Sequence, residues 1–175
     1  MNLIRQFAVC SALAASFLSG MASPSYAQTT PIANGHLKGG PSTVGGPDTV
    51  LDLTFSLQQL SDGSLVGGGK LTRQSVGAWI LFDLDSYMFI GDTLYAAGPV
   101  TKTHSIGGVF SVGDTFFIAV NDNGNGANSS DMDEFIEGVV PAAAGPVTIQ
   151  EILLFLGPAP PEIFRQGIIG NFHFH

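Results

Sequence analysis

The sequence predicts an all-β fold, an antiparallel β-sandwich or small β-barrel of seven to nine short strands with one short helix near residues 148–156. Three observations carry this. Apolar and polar residues alternate at a period of two in several short runs, 23 glycines and 10 prolines punctuate those runs, and a helical spacing behind a capping signal occurs once.

The clearest strand is Leu51, Leu53, Phe55 and Leu57 alternating with Asp52, Thr54, Ser56 and Gln58, one face for a core and one for water. Ser61-Asp62-Gly63-Ser64 supplies a turn. Leu65-Val66 and Lys70-Leu71-Thr72 read as the return strand, with Gly67, Gly68 and Gly69 expected to mark a bulge. Gly77 to Ile90 is the most apolar stretch, buried on both faces in its first half and solvated on one in its second. Short strands are expected at 93–97, 100–104, 107–112 and 115–120, and a further apolar run at 135–140. Thr148-x-x-Glu151 is a capping-box pattern, and Ile149, Ile152, Leu153 and Leu156 follow at helical spacing before Gly157. At the end Gly170, Phe172 and Phe174 alternate with Asn171, His173 and His175, a last strand.

Residues 1–27 carry the marks of a secretory signal peptide: Arg5 near the start, an apolar run from Phe7 to Leu18, and the small-residue exit Ser25-Tyr26-Ala27. The apolar run is shorter than the roughly 20 residues a spanning helix needs. Cleavage after Ala27 is expected to yield a secreted or periplasmic chain of 148 residues, enough for one hydrophobic core. Within it, residues 28–47 are Gly, Pro, Thr and Ser with few large apolar side chains and read as a flexible leader; residues 48–175 read as a single β domain. Loss of Arg5 leaves 5 basic against 14 acidic side chains without a Lys/Arg cluster, which makes nucleic acid a poor partner. The lone cysteine, Cys10, lies in the signal, so disulfides and thiolate chemistry are excluded for the mature chain.

Candidate sites are few. Gly67-Gly68-Gly69-Lys70-Leu71-Thr72 fails as a phosphate loop, because Ser64 stands where its first glycine belongs and Leu71 where its magnesium-binding hydroxyl belongs. Thr103-His104-Ser105-Ile106-Gly107 approaches a nucleophile elbow, but strand-like sequence follows it instead of a helix. The loop from Asn121 to Glu134 is dense in short oxygen-bearing side chains, the kind of segment from which Ca²⁺ takes its ligands. Met132 occupies the place of the bidentate acid of an EF-hand, so a looser site from Asp122, Asp131, Asp133 and Glu134 is the expectation. His173 and His175 share one face of the last strand and could hold a transition metal if His36 or His104 folded beside them. Asp83 and Asp85 share a strand face with Trp79, a pairing that could serve acid–base chemistry on a glycoside or a ligand-contacting surface.

With no complete triad, metal cage or phosphate loop, the composition points to a secreted non-enzymatic β-domain acting in binding or assembly, its partner a protein, glycan or small molecule. Calcium is its expected ion. The alternatives are a small outer-membrane β-barrel, suggested by length and by the alternating last strand, and a small secreted hydrolase using Asp83 and Asp85 or Ser105.

Overall fold

The computed structural model describes residues 29–39, 50–104, 110–123, 133–158 and 165–175, with the side chains of the last segment described from Phe172 onward. Nine strands follow in order: β1 Thr29–Gly39, β2 Leu51–Leu60, β3 Leu65–Arg73, β4 Ala78–Asp83, β5 Ser86–Ile90, β6 Thr93–His104, β7 Thr115–Asn121, β8 Glu134–Val140 and β9 Arg165–Phe174. Among the described residues one α-helix, α1, spans Ile149–Leu156. The all-β class with a single short helix is therefore what the chain adopts.

All strand pairs are antiparallel, in the order β4-β3-β2-β1-β9-β8-β7-β6-β5, and β4 also pairs with β6. The sheet thus curls until its ends meet on β6. β5 pairs with Thr93–Ala97 of β6, while β4 pairs with its later part, Val100–His104. β4 and β5 act as one long strand, interrupted at Leu84-Asp85, folded back on β6 by the turn at Gly91-Asp92. Between Pro31 and Ala33 of β1, and between Leu81 and Phe82 of β4, the register shifts by a residue, the device that bends a strand round a curled sheet.

Alternation decides which face fills the interior. Leu51, Leu53, Phe55 and Leu57 of β2 are buried, as are Leu37, Leu71, Ile80, Phe82, Leu94, Phe116, Ile118, Phe135 and Phe172 from the other strands, all in one apolar cluster. Aromatic rings bridge it: Phe82 and Phe116 centroids lie 4.5 Å apart, Phe55 and Phe172 5.4 Å, both tilted, geometries that add attraction to simple burial. A smaller cluster lies on the outer face of β5 to β8, where Ile149 and Ile152 of α1 pack on Tyr95, Ala97 and Ala119.

The sequence misleads at four places. Thr29–Gly39 is not a leader but β1, burying Ile32, Ala33 and Leu37 between β2 and β9; its few apolar residues are enough because both edges gain ladder hydrogen bonds. The strands expected at 93–97 and 100–104 are one strand, since β7 pairs continuously from Thr93 to Pro99 across Gly98. No strand forms at Phe110–Val112, where a turn leads into β7; residues 107–109 of that expectation lie outside the described residues. Finally, Gly67, Gly68 and Gly69 form no bulge, because β3 pairs regularly with β2 along its length. Their role is close approach: a side chain at Gly69 would run into the Thr54 carbonyl and lie 2.7 Å from Phe82 Cζ, and one at Gly67 would lie 2.7 Å from Leu57 Cδ1.

Candidate functional site

Because Leu37, Leu53, Leu71 and Ile80 point inward, their sequence neighbours point outward. The registers of β1, β2, β3, β4 and β6 then align the outward residues into rows across the strands. One row runs Lys38, Asp52, Thr72, Trp79, His104. The next runs His36, Thr54, Lys70, Leu81, Lys102. On the far side of β1, His173 of β9 pairs with Asn34, and Asn34 Nδ2 lies 3.0 Å from His175 Nε2.

All three lysines and all four histidines of the chain therefore sit on this one outer surface. The acids on it are Asp52 and Asp83. Asp52 is engaged, with His36 Nε2 2.8 Å from its Oδ1. Asp85 borders the surface in the break between β4 and β5, and the remaining described acids lie elsewhere: Asp62 and Asp92 in turns, Glu151 on α1, and Asp114, Asp122, Asp133, Glu134 and Glu137 on or beside β7 and β8. In a chain of net charge −8 this is a clear segregation of sign.

Trp79 is the centre of the surface. Its indole has two neighbours: the His104 imidazole stacks on it, centroids 5.9 Å apart and planes 23° from parallel, and Lys70 Nζ lies 5.7 Å from the ring centroid. Such a contact holds a long, flexible ammonium in place. Trp79 is half-buried, while Lys70, Lys102 and His104 are exposed. Asp83, on the same outward face of β4, and Asp85, in the break before β5, are both exposed.

The carboxylates of the 121–134 loop have a different task. Asp133 is buried and accepts hydrogen bonds from the Phe172 N–H at 2.6 Å and the Asn123 N–H at 3.0 Å. Burial pushes its carboxyl above the ordinary carboxylate range, as does the neighbouring Asp122 charge; the two N–H bonds and His173 pull the other way. Asp122 accepts from the Phe174 N–H at 3.4 Å. Both acids tie the β7–β8 connection to β9. Glu134 opens β8 in register with Asn121, and Asp131 lies outside the described residues. Among the described residues no three His, Cys, Asp or Glu side chains group as a metal site.

Sequence reasoning thus found Trp79, Asp83, His173 and His175 as surface positions, with His36 and His104 as candidate companions of the last two, but missed Lys70, Thr72 and Lys102. The only signal available was parity, and parity does not reveal which strands are neighbours. Ser105 lies outside the described residues. The chain matches no family model, and no match emerges among curated proteins or solved structures.

Proposed function

We propose that this chain is a secreted, non-enzymatic binding domain that recognises its partner with the outer face of β1, β2, β3, β4 and β6. The observation that carries the reading is the placement of all three lysines, with His36 and His104, on this one solvated face, Lys70 and His104 lying against Trp79. Side chains that face water on a packed scaffold are available for contact at little cost in fold stability. The hydrolase alternative gains nothing comparable: Asp83 and Asp85 are exposed, whereas a carboxyl serving as general acid is usually set apart by desolvation or by a close charge. Outward residues such as Asp52, Thr54 and Lys70 are the reverse of the apolar belt a lipid-facing barrel strand carries, which favours a domain in water.

The test is a screen of the secreted chain against arrayed glycans, peptides and small molecules, with Trp79→Ala as comparison. A ligand bound by the natural chain and lost by a folded Trp79→Ala variant supports the reading; ligands bound equally by both overturn it. The calcium part is the reading of Asp122, Asp131, Asp133 and Glu134 as ligands, of which Asp133 and Asp122 also accept backbone N–H bonds. A melting temperature raised by Ca²⁺ relative to EDTA supports it, and coincident melts remove it.

A further inference from the structure

Resting on that reading of the face, we infer that its ligand is an acidic polysaccharide, a flexible chain bearing a carboxylate or sulfate at regular intervals. In the row His36, Thr54, Lys70, Leu81, Lys102 the bases stand on alternate strands, β1, β3 and β6, with β2 and β4 between; the two lysines are the charged members, and His36 lies against Asp52. Successive bases are thus two strand spacings apart, about 10 Å. An evenly spaced row complements a repeating polyanion better than it complements a folded acidic protein, whose charges have no fixed period.

The neighbouring row adds hydroxyl and ring donors, Thr72 and His104, beside the lysines. Trp79 is already engaged by the Lys70 ammonium and the His104 ring. Its part is to hold Lys70 upright, which lowers the entropy that ammonium would lose on pairing with an anion. That arrangement favours an acidic over a neutral sugar chain. The face is the outside of a curled sheet and hence convex, so a flexible strand can drape across it where a rigid rod would touch at one point. Nucleic acid is disfavoured by its dense charge against a chain of net charge −8; a glycan with an acid on alternate sugars presents far less repulsion to the acidic remainder.

The experiment is titration calorimetry of the full secreted chain with three probes: hyaluronan oligosaccharides, neutral dextran oligosaccharides and poly-glutamate. Each is run against the natural chain, Trp79→Ala and the double variant Lys70→Ser/Lys102→Ser, after thermal melts show both variants folded. Binding of hyaluronan that weakens with salt and falls roughly tenfold in the double variant, in line with losing two exposed ion pairs, with little binding of the other two probes, is the expected result. Poly-glutamate bound as tightly as hyaluronan overturns the glycan assignment in favour of an acidic protein. Dextran bound as tightly, lost in Trp79→Ala but not in the double variant, overturns the acidic assignment while leaving the face as a binding surface. Absence of hyaluronan binding overturns the inference, and the array screen with Trp79→Ala then decides separately whether the face binds anything.

Discussion

At the scale of single residues, the structure explains side chains that the sequence leaves ambiguous. Gly69 faces inward on β3 with Phe82 and Phe55 closing over it. Gly69→Ala is expected to destabilise by about 3 kcal/mol, the upper end of what overpacking costs, measured by urea unfolding with its slope unchanged. Gly138 has the same logic on the outer face: the Phe117 ring lies on it, where a methyl group would collide with Cε1 and Cζ. Asp133 shows the opposite tension, a buried carboxylate held by two backbone N–H groups. Its folded-state carboxyl is raised, chiefly by burial, so the native state binds that proton more tightly than the unfolded chain does. The sign follows: its contribution is fully present below the ordinary carboxylate range and is lost as pH rises through the raised value. The natural chain is therefore expected to gain stability relative to Asp133→Asn as pH falls through that window. Thermal melts of the two across the acid range check it, and parallel curves would refute the assignment.

Among the elements, β2 and α1 are the ones whose local rules the fold obeys directly. In β2 every inward residue from Leu51 to Leu57 is buried, and Leu53→Ala is expected to cost about 2–5 kcal/mol through lost burial and the cavity left behind. α1 begins at a full capping box: the Glu151 N–H donates to Thr148 Oγ1, and the Thr148 N–H donates to Glu151 Oε2 at 2.8 Å. Those bonds hold the Glu151 carboxyl below its ordinary range. Thr148→Ala is expected to remove about 1 kcal/mol, a fall of about 2–4 °C in melting temperature for a domain of this size. The inner face of α1 is Ile149 and Ile152, with Ser86 Oγ accepting from the Ile149 N–H at 3.1 Å. Its last turn departs from the amphipathic pattern: Leu154, Phe155 and Leu156 are 86%, 93% and 67% exposed. Leu156, which helical spacing groups with the inner face, points to water because the helix covers only the edge of the second cluster.

For the molecule as a whole, stability depends on a closed circuit of strands. β1 is the link between β2 and β9, and among the described residues β8 meets β9 over two residue pairs. The Asp133 and Asp122 bonds to the Phe172 and Phe174 N–H groups reinforce that seam. A chain beginning at Val50 lacks β1, exposing the inner ends of Leu53, Phe55 and Phe172. It is expected to give no cooperative transition in calorimetry, whereas a chain shortened by a true flexible leader would melt unchanged. The same closure brings Lys102 beside β4 and so onto one surface with Lys70 and Lys38, because the later part of β6 pairs with β4 while its first part pairs with β7.

The sequence by itself determined what depends on neighbours along the chain: the two-residue period of β2, the turn at Asp62-Gly63, the Thr148–Glu151 cap, and so the all-β class with one helix. It could not show what depends on partners across the sheet. β1 is ordered although its own composition argues against it, since its ladder bonds and its place over Leu53 and Phe55 supply what its side chains lack. Likewise, nothing in the spacing of Lys70, Trp79 and His104 says that they touch. Only the register of β3, β4 and β6 decides that, because parity along a strand fixes the face while pairing between strands chooses the neighbours.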